Sequence, residues 1–266
     1  MLLTSVIVVL REVLESALLI SVLVALSGTL GISRRWVMWA LGLGLAGAVG
    51  FSLGINTISD WFDGVGMEVV SAFMQGIIYL LLLAFALLVL WNTHSTRTGS
   101  LLIRMIMVLI VALAVAREGV EVLIYMYAHT ESLPHFIHAL TGAVIGAAIG
   151  ISVGVLLYYL LSYPAIGKSP TTGLVLLAFI GAGLLSQAVL LLIQADWVPS
   201  HLPLWDTTDW LSESSVTGQL LYVLVGYEAT PTAIQVAFYF GGLIVLLTIA
   251  VLTAVFRSRT AEEVSG

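Results

Sequence analysis

The chain has 266 residues, of which 60% are hydrophobic and only 9% are charged, whereas an average soluble domain carries about a quarter charged residues. A net charge of -6 argues against a nucleic-acid-binding protein, and the absence of cysteine excludes disulfide frameworks, thiol catalysis and Cys-ligated metal centres. What remains is a polytopic membrane protein, with the lipid bilayer as its surroundings.

Seven apolar segments are long enough to cross a bilayer as helices, because about 20 apolar residues span the hydrocarbon core. The predicted spans are residues 3–27, 36–58, 68–91, 104–128, 137–162, 173–194 and 233–256. A shorter apolar run at 216–227 predicts a re-entrant or interfacial segment. No segment alternates as a membrane strand does. The predicted fold class is therefore all-α, a polytopic membrane protein with seven transmembrane helices.

The basic residues outside the spans predict the orientation of the chain. All of them fall on one side of a seven-helix topology, namely Arg34, Arg35, Arg97, Arg104, Lys168, Arg257 and Arg259. The positive-inside rule then places the N-terminus outside and the C-terminus in the cytoplasm. Most acidic residues between the spans lie on the opposite, outer side, where they would attract cations.

A five-residue motif occurs twice and indicates an internal repeat. Residues 11–15 read Arg-Glu-Val-Leu-Glu in the first span, and residues 117–121 read Arg-Glu-Gly-Val-Glu in the fourth. A repeat of three helices must enter the membrane from opposite sides, so the two halves are predicted to be inverted. The predicted organisation is one transmembrane domain over 1–266, with repeat one at 1–95, repeat two at 100–196, an external loop at 196–232 and the final span at 233–256.

Small residues at intervals of four follow each motif helix. The second span carries Gly42, Ala46, Gly50 and Gly54, and the fifth carries Gly142, Gly146, Gly150 and Gly154. Such stripes allow helix backbones to approach closely in membranes. We expect these two helices to pack against each other, and the alternative is close packing against other helices without direct contact between these two.

The repeated motif carries the chemistry. Each copy places an arginine and two glutamates on one helix face, and helix rise places Glu12 at about 13 Å and Glu118 at about 15 Å from the outer surface. Each charge at that depth costs about 2.5–3.5 kcal/mol, so the side chains should face one another. Pairing with Arg11 and Arg117 leaves two carboxylates uncompensated. A bound hard cation would resolve this excess, and the predicted metal ligands are Glu12, Glu15, Glu118 and Glu121, supported by Arg11 and Arg117.

Two other interpretations of the motifs remain open: a buried ion-pair network that joins the helices, and a proton relay. Polar residues near the outer surface form a second predicted feature, an outer capture site for the incoming ion. Its members are Glu68, His129, Glu131, His135, His138, Asp206 and Asp209.

At these residues the chain resembles the oxidase-dependent iron permease family, whose hallmark is Arg-Glu-x-x-Glu in the first and fourth spans. Here these are Arg11, Glu12 and Glu15, and Arg117, Glu118 and Glu121. The segments 204–208, 212–213 and 226–227 resemble the bacterial branch. The likeness covers nearly the whole chain.

The resemblance implies a permease that imports Fe³⁺ across the cytoplasmic (inner) membrane. Iron is then the transported substrate, and no permanently bound cofactor is expected. The family's partners are an extracytoplasmic oxidase or an iron-delivery protein, and an oligomer is possible. Enzymatic activity is not expected, because the sequence carries no intramembrane hydrolase motif. The alternatives are a transporter of another cation such as Mn²⁺, Fe²⁺ or Pb²⁺, and a membrane anchor subunit of an external oxidoreductase.

Overall fold

The computed structural model describes residues 2–91, 97–130, 132–163 and 170–265. Within these residues the secondary structure is helical, apart from one isolated bridge between Pro203 and Thr232. The helices are α1 (Leu2–Thr29), α2 (Trp36–Leu53), α3 (Ile55–Ser59), α4 (Gly66–Trp91), α5 (Arg97–Tyr127), α6 (Leu133–Ser162), α7 (Pro170–Gln194), α8 (Val216–Val225) and α9 (Ala233–Ser265), with a 3-10 turn at Trp61–Gly64. The predicted all-α class is confirmed for this part of the chain.

Five of the described helices are long and apolar enough to cross a membrane: α2, α4, α6, α7 and residues Ala233–Phe256 of α9. Helices α1 and α5 are longer still than α2, at 28 and 31 residues, but carry the charged motifs. The chain is therefore a multi-pass membrane protein. The predicted second span differs from the structure, because its helix ends at Leu53 and the short helix α3 follows Gly54.

Each motif helix packs along a helix from the other half of the chain. Helix α1 makes its largest contact with α6, and α5 makes its largest contact with α2. Helices α4, α7 and α9 pack against one another beside these two pairs. The central hydrophobic cluster joins α1, α4, α5, α7 and α9, so the pairs are held against a common apolar core.

The glycines of α6 create its contact with α1. A Cβ atom added at Gly146 would lie 2.5 Å from the Val6 carbonyl oxygen, and one at Gly150 would lie 3.1 Å from Cγ1 of Val13. Only a residue without a side chain allows the two backbones to come so close. The expectation that this stripe packs on the second span was wrong, since its partner is the first motif helix.

The predicted stripe of α2 was wrong in register. Gly42 and Gly50 have open space around them, whereas Ala40, Gly44 and Ala48 are buried. A Cβ atom at Gly44 would lie 2.7 Å from Cβ of Val115 on α5. The stripe that packs is therefore displaced by two residues from the one that the glycines alone indicate.

The segment after α7 folds back towards the motifs. Helix α8 begins at the cap residue Ser215, whose hydroxyl accepts a hydrogen bond from the Gly218 amide at 3.0 Å. It ends at Gly226, which adopts a left-handed backbone (φ 66°) that favours glycine. Helix α8 packs against α1 and α7. The predicted short segment at 216–227 is thus a ten-residue helix with one face in the interior.

Candidate metal site

The two motifs meet in the interior. A guanidinium nitrogen of Arg117 on α5 lies 2.9 Å from a carboxylate oxygen of Glu15 on α1. Both side chains are buried. The charges thus face each other across the α1–α5 contact rather than the lipid, as the cost of an unpaired charge in hydrocarbon requires.

Arg117 is the centre of the ion-pair network. Besides Glu15, it donates to Glu118 at 2.6 Å and to Glu121 at 3.1 Å. Its side chain is only 7% exposed, and its Nε atom makes no hydrogen bond. A guanidinium group with several donors in fixed directions can hold three carboxylates at once. One arginine therefore orients glutamates of both motifs.

Arg11 has a different environment. Its side chain is 44% exposed, and its Nε atom lies 3.5 Å from Glu15. The guanidinium also lies over the ring of Tyr222 on α8, 4.5 Å from the ring centre, which is a cation–π contact. Arg11 therefore connects the first motif to α8 and makes only one ion pair among the described side chains.

Three carboxylates from the two motifs gather at one point. Glu12, Glu118 and Glu121, which we call the glutamate trio, each offer one oxygen within 4.8 Å of the other two. Glu12 and Glu118 are buried, while the Glu121 side chain is 43% exposed. Among the described residues this is the one group of three or more His, Asp or Glu side chains with metal-ligating spacing. Glu15 lies outside the trio, and its carboxylate pairs with both Arg117 and Arg11.

A small cavity of about 20 Å³ adjoins the motifs, which is about the space that one water molecule requires. Glu15, Glu118, Gln187 and Tyr222 contribute to its lining. Among the described residues Oε2 of Glu118 has no hydrogen-bond partner. Gln187 accepts a 2.7 Å hydrogen bond from Gln75. Polar groups thus continue from the second motif towards α4 and α7.

The comparison with known proteins agrees with this geometry. A model of the Iron permease FTR1 family matches residues 2–262. The chain belongs to this family. It is therefore an iron permease by family, a transporter for which iron is the substrate. No curated protein and no solved structure matches the chain.

The outer capture residues of the permease do not form a second group with ligating spacing in the part of the chain that the structure describes. Glu68 is half-buried at the start of α4. His135 is exposed, and Nδ1 of His138 lies 2.6 Å from the Pro134 carbonyl. Nδ1 of His129 lies 2.8 Å from the Tyr125 carbonyl. Glu131 lies outside the described residues.

The two aspartates of the capture prediction lie on the surface of the permease. Both Asp206 and Asp209 are exposed. The Asp206 carboxylate accepts a hydrogen bond from the Thr208 amide at 2.9 Å, and hydrogen bonding with Thr208 lowers its pKa. The outer capture site stays a prediction.

Glu228 is an acidic group near the motifs that sequence reasoning did not include in the site. It lines a cavity of about 300 Å³ together with Trp205, Tyr227 and Tyr239. Burial, followed by repulsion from Glu213, raises the Glu228 pKa to about 7, while the positive charge of Arg11 opposes this shift.

Sequence reasoning also missed Tyr222 and the cross-motif contact of Arg117. Helical spacing indicates the pairs Arg11–Glu15 and Arg117–Glu121, and both are present. The spacing cannot indicate that Arg117 reaches Glu15, because that contact depends on how α1 and α5 pack. Nothing in the sequence singled out Tyr222 as a site residue. It lies in the apolar run before Gly226, which forms helix α8 and has a buried face.

Proposed function

We propose that this permease imports Fe³⁺ through a mid-membrane carboxylate site built from both motifs. The observation that carries the proposal is the glutamate trio, in which Glu12 of the first motif meets Glu118 and Glu121 of the second. Glu15 completes the set of four proposed ligands, and Arg11 and Arg117 support them.

The charges of the site suit a highly charged metal ion. Four glutamates and two arginines carry a formal charge of -2. Their ligand atoms are all oxygen, which hard cations such as Fe³⁺ prefer. Arg117 already binds Glu15, Glu118 and Glu121, so its positive charge offsets the repulsion among these carboxylates before an ion arrives. An incoming ion would take over part of this role from the guanidinium group.

The exposed members of the motifs support an ion path from the outer side. Arg11 and Glu121 are each more than 40% exposed, and each lies nearer than its buried neighbours to the helix end that we propose to be extracytoplasmic. Arg117 and Glu118 are buried further along α5. An ion that passes Arg11 would therefore reach Glu121 before Glu118.

We place the permease in the cytoplasmic (inner) membrane with seven spans, the N-terminus outside and the C-terminus inside. The pairing of α1 with α6 and of α2 with α5 supports an inverted three-plus-three repeat, because exchange of the two halves converts one pair into the other. The repeat boundaries near 1–95 and 100–196, the external loop near 196–232 and the final span near 233–256 belong to the same proposal. An external oxidase or iron-delivery protein would supply the ion, and the permease could act as an oligomer.

Radioactive iron uptake into proteoliposomes tests the site. We expect Glu12→Gln, Glu118→Gln and Glu121→Gln each to lower uptake per folded molecule by about 10- to 100-fold or more, since even groups that only support metal ligands have effects of this size. Asp60→Asn is the matched control, because it neutralises an exposed carboxylate outside the motifs. Normal uptake by all three glutamine variants would refute the proposal. A loss of folded protein with unchanged uptake per molecule would instead favour the anchor-subunit alternative.

The identity of the cation needs a separate measurement. An all-oxygen site also accepts Mn²⁺ and Fe²⁺, and Pb²⁺ is a further competitor to test. Each ion is added to the proteoliposomes in excess over labelled Fe³⁺. We expect Fe³⁺ uptake to continue against a tenfold excess of each divalent ion, because the excess negative charge favours the trivalent ion. Full inhibition at equal concentration would assign the permease to the divalent ion instead.

A further inference from the structure

A groove between α2 and α5 lies apart from the metal site. Its volume is about 650 Å³, and its lining includes Arg35 at the N-cap of α2, Trp39 of α2, and Arg104 and Met105 of α5. Both arginines and both of these apolar side chains are exposed. The groove therefore combines positive charge with an exposed apolar surface.

The positive charge of the groove lies at one end of its apolar surface. Helices α2 and α5 run side by side in the same direction, since Gly44 faces Val115 and Ala48 faces Gly119 further along both helices. Arg35 lies at the start of α2, and Leu43, which also lines the groove, lies about 12 Å further along the helix. The groove is thus cationic at one end and apolar along its length.

The two arginines of the groove form no ion pair with a carboxylate that the structure describes. Among the side chains that the structure describes, neither Arg35 nor Arg104 forms an ion pair with Asp or Glu. Their neighbour Arg34 instead lies over the ring of Tyr158, at 5.1 Å from its centre. Guanidinium groups bind phosphate oxygens with paired hydrogen bonds, so two unpaired ones at one end of a groove favour a phosphate ligand.

We propose that this groove binds one anionic diacyl phospholipid. Its phosphate lies between Arg35 and Arg104, and an acyl chain lies along Trp39 and Leu43 on one side and Met105 and Leu109 on the other. Free phosphate would leave the apolar length of the groove uncovered, whereas a phospholipid covers both ends. Basic pockets between membrane helices on the cytoplasmic side bind such headgroups, and this end is cytoplasmic in the orientation proposed above.

The site has a consequence for the α2–α5 pair, because the lipid contacts both helices. Helix α5 also carries Arg117 and the second motif. A bound lipid should therefore stabilise the pair that holds half of the metal site. This effect does not require that iron is the transported ion, so failure of one proposal leaves the other standing.

Native mass spectrometry of the full permease in detergent tests the lipid site, with a thermal melt as a second measurement. The probes are phosphatidylglycerol, phosphatidylcholine with the same acyl chains, and inorganic phosphate. We expect one phosphatidylglycerol to bind in preference to phosphatidylcholine and to raise the melting temperature. Arg35→Gln or Arg104→Gln should weaken this binding about fivefold each, and the double variant roughly thirtyfold.

Two further variants separate the groove from general surface charge and from misfolding. Arg34→Gln removes a neighbouring exposed arginine outside the groove and should bind phosphatidylglycerol within about twofold of the original chain. Leu109→Trp fills the apolar length and should weaken lipid binding with both arginines in place. Equal binding of phosphatidylcholine, equal protection by phosphate alone, an unaffected double variant, an equal loss in Arg34→Gln, or a second copy of the chain in place of lipid would each overturn the proposal.

Discussion

The two motifs share a sequence pattern, but their arginines have different surroundings. Arg117 is buried and binds three glutamates, whereas Arg11 is 44% exposed, contacts only Glu15 among the described carboxylates and lies over Tyr222. Repeated sequence therefore does not produce repeated contacts. The difference indicates that the arginine of the second motif organises the carboxylates, while the arginine of the first motif connects that motif to α8.

The largest expected effect comes from removing each of the two arginines in turn. Arg117→Gln removes a buried cation from three carboxylates and should lower the free energy of unfolding by about 3–5 kcal/mol. Arg11→Gln removes a partly exposed group with one 3.5 Å ion pair and should cost about 1 kcal/mol or less. Thermal melts of both purified variants check this order. Equal destabilisation would show that the two motifs are equivalent after all.

A second test compares the glutamates within the first motif. Glu12 belongs to the trio and makes no ion pair among the described residues, whereas Glu15 binds Arg117 at 2.9 Å. We expect Glu15→Gln to lower stability by about 2–3 kcal/mol, since a hydrogen bond between charged groups is lost and Arg117 loses part of its compensation. Glu12→Gln should keep stability while uptake falls, because glutamine has the same shape and breaks no described ion pair but removes a proposed ligand. Melting curves and iron uptake of the same preparations separate the two cases.

The glycine stripes allow a third comparison, between two helices with similar sequence patterns. Gly146→Ala on α6 would meet the Val6 backbone and should destabilise the permease by about 1–3 kcal/mol. Gly50→Ala on α2 meets no atom within 4 Å and should be neutral or stabilise by up to about 1 kcal/mol. Denaturation of the two variants gives the contrast directly. A harmless Gly146→Ala would mean that α1 and α6 can separate at little cost.

The smallest expected effect concerns Glu228 and pH. With a pKa of about 7, this carboxyl is mostly neutral at pH 6 and mostly ionised at pH 8. At about 10 Å in a water-like medium one negative charge attracts Fe³⁺ by about 1 kcal/mol, so Glu228→Gln should lower uptake severalfold at pH 8 and little at pH 6. Uptake measured across this range, with the iron kept soluble by one chelator throughout, gives the difference. A constant ratio at both pH values would exclude a role for this charge.

The same group contributes to stability with a defined sign. Because folding raises the Glu228 pKa above that of the unfolded chain, the folded state binds the proton more tightly. Its contribution is fully present below pH 4.5, the ordinary value, and is lost as the pH rises through about 7. As the pH rises from 4.5 to about 7, Glu228→Gln should therefore lose less stability than the original chain. Groups that face Glu228 include Glu213, whose negative charge raises the Glu228 pKa, and Arg11, whose positive charge lowers it.

The sequence allowed the helices and the meeting of the motifs to be predicted, the helices from local composition and the meeting from the cost of a buried unpaired charge. Apolar length gives the helices, and the cost of buried charge requires that Glu15 and Arg117 find partners. The packing partners could not be predicted in the same way. Glycine spacing marked Gly42 and Gly50 on α2, but the buried face contains Ala40, Gly44 and Ala48. Alanine is also small enough for a close contact, so glycines alone do not define the face.

The corrected face also agrees better with the repeat. Ala40, Gly44 and Ala48 precede Gly146, Gly150 and Gly154 by 106 residues, the same separation that relates Arg11 to Arg117. The uncorrected glycines gave a different separation of 100 residues, from Gly42 to Gly142. The contact between Arg11 and Tyr222 of α8 could not be predicted from the sequence. A single tyrosine in an apolar segment can face any of several neighbouring helices.

The division of the permease into two tight helix pairs has a mechanical consequence. Glu12 belongs to the α1–α6 pair and Glu118 to the α2–α5 pair, so an ion held by both would add a further link between the pairs, beside the Arg117–Glu15 ion pair. Sliding of one pair by a few ångströms would pull the oxygens beyond coordination distance and free the metal. The two helix pairs would then move least when the metal site is occupied, and release of the ion would restore their relative motion.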